Sequence, residues 1–320
     1  MALHGCKRLG HGRRSGRRGA STQVLVGSLF VIGLLVGVFF VWQRYGARIM
    51  SEEDYVLTAE GIEISTVPDW IRADIKQQAI REASFQDLSM RQPGLTVEVA
   101  QAFAMQPWVS RVVRVSKSFP GRVQVELEYR RPVGFVEVPD GNWAIDAEGC
   151  LLPSEDFLDG SEKPTALAET LPRIYARDAS WMGTYGAQWG DPRIHRAAKL
   201  AEVLLPVWQE LNLYRIVAIG AGEAEYGGQR HAQFVIYTPN STGITWGAAP
   251  GYEKSGEPKA DVKIKRLKEL VAKSGPLEQI GQDGRIDLTQ PDGVHVTRLK
   301  PPPGIDISPI NDQPANRPTD

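Results

Sequence analysis

Residues 23–42 read QVLVGSLFVIGLLVGVFFVW, twenty consecutive positions without a charged side chain. At 1.5 Å per residue a helix of that length matches the roughly 30 Å hydrocarbon core of a bilayer. The stretch is apolar on every face, whereas a core helix of a globular domain is usually amphipathic. It is longer than the apolar stretch of a cleavable signal, and it runs into Trp42-Gln43-Arg44-Tyr45 instead of a small-residue cleavage site. It therefore predicts one uncleaved transmembrane helix at 23–42.

Charge on either side of that helix predicts its orientation. Lys7, Arg8, Arg13, Arg14, Arg17 and Arg18 precede it with no acid among them, while Arg44 and Arg48 are followed by Glu52, Glu53 and Asp54. Basic residues stay on the cytoplasmic side, so residues 1–22 form a basic cytoplasmic arm, 43–60 a linker, and the rest lies outside the cytoplasm. The overall charge of −1 hides this division, since +6 before residue 22 leaves −7 for the remainder. A twin-arginine export signal would continue in apolar residues, where Gly19-Ala20-Ser21-Thr22 stand here. The arm has no aromatic residue and abuts the apolar helix, so its expected partner is the lipid bilayer and not nucleic acid. Cys6 and Cys150, the only cysteines, then face opposite sides of the membrane and cannot pair; Cys150 reads as a small packing residue.

Beyond the linker, 61–67 is a short strand candidate, and Ile71, Ile75, Ala79 and Ile80 share one face of a helix over 71–83. Pro93-Gly94 breaks the chain before a second helix that ends at Pro107. Residues 109–119 form a strand, the turn pair Pro120-Gly121 follows, and Val123, Val125, Leu127 and Tyr129 alternate with polar residues, the mark of a half-buried strand. Strands are next expected over 133–138, 143–146 and 150–152, and 154–170 reads as a loop. Asp191-Pro192 starts a helix with an apolar stripe through Trp208, which Pro206 should kink or split. Strands at 215–219, 232–238 and 243–246 precede a helix over 261–273. Its stripe has Val262, Leu267, Leu270 and Val271 inward, and Lys263, Lys265, Arg266 and Lys268 on a solvated face. The last strands are 285–288 and 294–298, and the proline-rich tail 300–320 is expected to be disordered.

Motifs that carry chemistry are missing. Gly220-Ala221-Gly222 follows a strand, yet Glu225 occupies the third glycine position of a dinucleotide loop, and Tyr226-Gly227-Gly228 breaks the helix that would receive the pyrophosphate. There is no nucleophile elbow, no zinc-protease helix and no phosphate-binding loop, and His4, His11, His195, His231 and His295 are dispersed. The reading is a non-enzyme without cofactor, metal or small-molecule substrate.

The order of elements resembles the FtsQ/DivIB family of bacterial cell-division proteins, from about residue 7 to 298. Pro107-Trp108-Val109, Val113 with Val115, and Phe119-Pro120 resemble the stretch closing that family's POTRA module. Tyr129-Arg130-Arg131-Pro132-Val133-Gly134 is similar to its module junction, with Tyr129 where the family has an acid and Gly134 where it has alanine. Ile145-Asp146, Glu148-Gly149, Leu151-Leu152-Pro153, then Leu171-Pro172-Arg173-Ile174 and Ile286-Asp287-Leu288, resemble parts of its β domain. The glycine expected after the first POTRA strand is absent, with Val67-Pro68 there.

The resemblance implies an α+β fold: a single transmembrane helix, a POTRA-like β-α-α-β-β module over 61–131 and a mixed β-rich domain of FtsQ type over 132–299. It implies a bitopic scaffold of the inner membrane and division septum that binds FtsB-like and FtsL-like proteins and helps recruit and regulate septal peptidoglycan synthesis. The alternative is a POTRA-bearing translocation or assembly component of the envelope. An uncovered final strand invites strand addition, and in the resembled family the small partner adds its strand at that edge. The candidate partner-binding residues are Gly293, Val294, His295, Val296, Thr297 and Arg298.

Overall fold

The computed structural model describes residues 19–49, 57–83, 89–181, 183–220, 232–280 and 284–297. The basic residues 7–18 with Cys6, the linker acids 52–54, positions 222–228, Arg298 and the tail 300–320 lie outside the described residues. Helix α1, Gly19–Ile49, includes the apolar run, and its section Val26–Arg44 is long and apolar enough to cross a membrane. Every described side chain of that section is exposed, as a helix that packs on lipid requires.

A first module follows in the order β1 (Ile62–Ile64), α2 (Ile75–Glu82), α3 (Leu95–Ala104), β2 (Val109–Ser118) and β3 (Arg122–Tyr129). β3 is the middle strand, parallel to β1 and antiparallel to β2. The alternation in β3 has its expected effect: Val123, Val125 and Leu127 are buried, while Gln124, Glu126 and Glu128 are exposed. The buried side joins Ile75 and Ala79 of α2 and Leu95, Val99 and Phe103 of α3 in one cluster. α2 starts later than its periodicity suggests, because the Asp74 carboxylate accepts a bond from Gln77 N at 2.9 Å and caps it there.

The second module is an eight-stranded mixed sheet ordered β11-β10-β9-β8-β7-β6-β4-β5. Its strands are β4 (Pro132–Val138), β5 (Gly141–Asp146), β6 (Arg173–Ala176), β7 (Arg215–Ile219), β8 (Gln233–Tyr237), β9 (Gly243–Gly247), β10 (Arg285–Asp287) and β11 (His295–Thr297). α5 (Pro192–Trp208) and α6 (Ala260–Ser274) cover one face. Ile194, Ala197, Ala201 and Leu204 of α5 meet Val136, Ile174, Ile216 and Ala218 in a shared core. Burying each such leucine or isoleucine contributes about 1.5–3 kcal/mol relative to exposure.

The structure corrects four expectations. Pro206 neither ends nor splits α5, which continues to Trp208; the carbonyl left without its N–H belongs to the exposed Glu202, where water can serve it. Residues 154–170 are not a loop: a 3-10 turn at Ser154–Phe157 and α4 (Ala166–Thr170) bury Phe157, Ala168 and then Leu171. Within 150–152, Cys150 and Leu151 make isolated bridges, not a full strand. In α6 Leu267 is buried and Leu270 and Val271 pack against the core as expected, but Val262 is 39% exposed and Lys263, expected on the solvated face, is fully buried. Lys263 stays there because Nζ donates to Trp246 O and Glu257 Oε1, both at 2.6 Å. Gly247 makes room, since a Cβ there would sit 2.1 Å from Glu257 Oε1.

The two modules share hydrophobic interior. Trp108 is 1% exposed; its Nε1 donates to Asp156 Oδ2 at 2.7 Å, and its ring lies 5.9 Å from that of Phe157, which meets Phe135 of β4 at 5.2 Å. Trp108 thus packs as a core residue, with the 154–157 turn as well as the helices of its own module. Tyr185 donates to Glu155 at 2.9 Å on the same turn, and burial with that bond pushes its hydroxyl up to about 12. Arg72 donates to the Leu158 carbonyl. Cys150 is buried beside Asp146, and desolvation raises its thiol.

Candidate partner-binding edge

Every sheet has two ends, and here they differ. Outside β5 the chain returns: Leu152 N donates to Ala144 O at 2.8 Å and Asp146 N to Cys150 O at 3.1 Å. A second layer of pairing lies beyond, with Leu151 N on Ala187 O at 2.9 Å and Gly186 N on Leu151 O at 2.8 Å. At the other end β11 pairs with β10, joining His295 to Asp287, Val296 to Ile286 and Thr297 to Arg285. Nothing among the described residues pairs with its outer side. All three residues of β11 are exposed, Val296 by 48%.

The strand is presented by the turn before it. Asp287 ends β10 and accepts from Thr289 N at 2.8 Å and Thr289 Oγ1 at 2.7 Å, which bends the chain. Arg266 of α6 then donates to three backbone carbonyls of the turn: Gln290 at 2.6 Å, Pro291 at 2.7 Å and Gly293 at 3.3 Å. Val294 packs against the main core. His295 Nε2 lies 3.0 Å from Asp292 Oδ1, and that contact is the chief cause holding the Asp292 carboxyl below its ordinary value.

The side chains flanking this edge follow from register. Cross-strand partners share a face, so Phe135, Arg173, Arg215, Tyr237, Gly243, Arg285 and Thr297 form one row across the sheet, ending on β11. Arg173 stands 5.0 Å over the Phe135 ring. Arg215 is buried against Glu137: its Nη2 donates to Oε1 at 3.3 Å, while Nε lies 2.9 Å from Oε2 without hydrogen-bond alignment. Burial is the main cause that raises the Glu137 carboxyl, with Arg215 and Arg173 pulling against it.

Of the six residues chosen from sequence, Gly293 and Val294 lie in the turn and its exit, His295, Val296 and Thr297 are the strand, and Arg298 lies outside the described residues. Sequence reasoning missed the grip of Arg266, since it leaves a helix face that reads as solvated. It also missed the arginine row, which exists only once register is known. Among the described residues no three His, Cys, Asp or Glu side chains are grouped to hold a metal ion.

Arg266→Ala should loosen the turn without unfolding the sheet. Hydrogen bonds from a charged donor are worth about 1.5–3 kcal/mol when shielded, and partial exposure reduces this to about 1–2 kcal/mol. Amide exchange at residues 295–297 should speed up by about tenfold, with β8 and β9 unchanged. Equal protection of β11 in both proteins would show that the strand is held by its ladder alone. No model of a known protein family matches the chain, and no curated protein matches it.

Proposed function

We propose that this chain is a single-pass scaffold of the bacterial division machinery, of the kind the FtsQ/DivIB resemblance implies, which captures a strand of a small coiled-coil partner on β11. The observation that carries the reading is the contrast between the two sheet ends: one doubly covered by its own chain, the other presented by Arg266 and left open among the described residues. A single apolar helix ahead of a β-α-α-β-β module and a mixed sheet supports the POTRA-like and FtsQ-type assignments. The charge difference across that helix supports a cytoplasmic amino terminus. The scaffold would recruit and regulate septal wall synthesis by binding, without catalysis of its own.

Strand addition uses backbone groups, and neighbouring residues of a strand point their N–H groups to opposite sides. One of His295 and Val296 therefore aims its N–H outward, and proline there removes a donor that the partner needs. Co-purification from detergent should recover FtsB-like or FtsL-like proteins with the unaltered chain, and that proline variant should lose them while remaining folded. Undiminished capture by both folded proline variants would put the interface elsewhere. A fluorescent fusion should concentrate at midcell; uniform peripheral signal would favour an envelope-assembly component over a division protein.

A further inference from the structure

The β2–β3 hairpin ends in Phe119, Pro120 and Gly121, and Phe119 is 66% exposed. Single exposed hydrophobic side chains are ordinary on protein surfaces whatever they touch, so exposure alone says little. Its position says more. β1 is parallel to β3 with Ile62 beside Val123, so the chain enters the first module at the same end as the hairpin tip. Val123 N donates to Gly61 O at 2.9 Å, and Gly61 lies so close to the tip that a Cβ there would sit 2.3 Å from Gly121 O. Four residues earlier, Leu57 is buried in the module core at 3% exposure.

Leu57 in turn is only eight residues past the end of α1. The eight peptide steps from Ile49 to Leu57 reach at most about 25–30 Å even when fully extended. The hairpin tip is therefore at the end of the module by which the chain arrives from α1. Lys117 stands two residues before Phe119, and its Nζ donates to the carbonyls of Met90 and Gln92 at 2.9 and 3.1 Å, with no ion pair to an acid among the described residues. An aromatic ring beside a fixed cation suits the region of lipid glycerol and phosphate groups, which accepts apolar surface and attracts positive charge. Val97 on α3, Met105 just past its end and Val113 in mid-β2, also exposed, have no such relation to the chain entry.

We infer that the hairpin tip is a second membrane contact: Phe119 enters the interface of the bilayer that α1 crosses, and Lys117 rests on its phosphates. This rests on reading α1 as a membrane span. Docking at a second point fixes the tilt of the first module over the membrane.

The test uses the full chain, with Cys6→Ser and Cys150→Ala, reconstituted in phosphatidylethanolamine–phosphatidylglycerol vesicles. A fluorophore on Ser118→Cys should be quenched by lipids carrying a headgroup nitroxide, and one on Lys254→Cys, in the loop after β9, should not. Adding Phe119→Ser should bring quenching at 118 down to the level at 254. Lys117→Ser should lower tip occupancy by about fivefold in vesicles with phosphatidylglycerol, the effect of one interfacial basic residue, and have no effect without it. Equal quenching at 118 and 254 in chains that resist alkaline extraction would overturn the contact and leave the span intact. Release of the chain by alkaline extraction would overturn both.

Discussion

Trp108→Ala should destabilise the folded region by roughly 3–5 kcal/mol, the range for removing a large buried aromatic. The expectation follows from near-complete burial, the bond to Asp156 and the contact with Phe157. Because those partners belong to the second module, the loss should appear in both modules together. Urea unfolding of residues 57–320, followed by fluorescence and by amide exchange, should show one transition moved to lower denaturant. Trp108→Phe, which keeps most of the apolar volume and loses the Asp156 bond, should cost nearer about 1 kcal/mol. Two separate transitions, with only the first module weakened, would mean that the shared interior does not couple the modules.

Arg215→Met should destabilise by a similar amount, about 3–5 kcal/mol at neutral pH, because it leaves the Glu137 carboxylate buried without its cation. The pH dependence distinguishes this from a packing defect. Burial already raises the Glu137 carboxyl against the pull of Arg215, and without Arg215 that rise is less opposed. A carboxyl raised in the folded state binds its proton more readily there than in the unfolded chain, so falling pH favours the variant's fold. The gap between variant and unaltered protein should therefore narrow as pH drops through the range above the ordinary glutamate value. A gap that stays constant over that range would show that water reaches Glu137.

What could be read from the amino acids was whatever depends on neighbours in the chain. Residues 23–42 announce their helix by length alone, β3 by strict alternation, and the start of α5 by Asp191-Pro192. The turn around residues 291–293 and the short strand after it were also legible, and with them most of the candidate edge. Tertiary partners decided the rest. Lys263 has the pattern of a surface lysine until Trp246 O and Glu257 supply acceptors inside. Phe157 sits in a polar stretch with weak periodicity, and only the arrival of Trp108 and Phe135 makes it a core residue. Arg266 and the arginine row depend on which turn and which register the fold brings to them.

The passage from the first sheet to the second has a consequence for anyone cutting this chain. β3 ends at Tyr129 and β4 begins at Pro132, so only Arg130 and Arg131 separate strands of different sheets. Arg130 is tied down twice: Trp70 Nε1 donates to its carbonyl at 3.2 Å, and its Nη1 donates to the buried Asp146 at 2.6 Å. Residue 131 looks like a boundary on paper, but a fragment ending there would bring Trp108 to water, and one beginning after it would leave Phe157 without its partner. Such a piece would be sticky and short-lived, and a chimera joined at that point would inherit half an interior from each parent. A usable cut lies ahead of Leu57 instead, so that this buried residue stays with the first module.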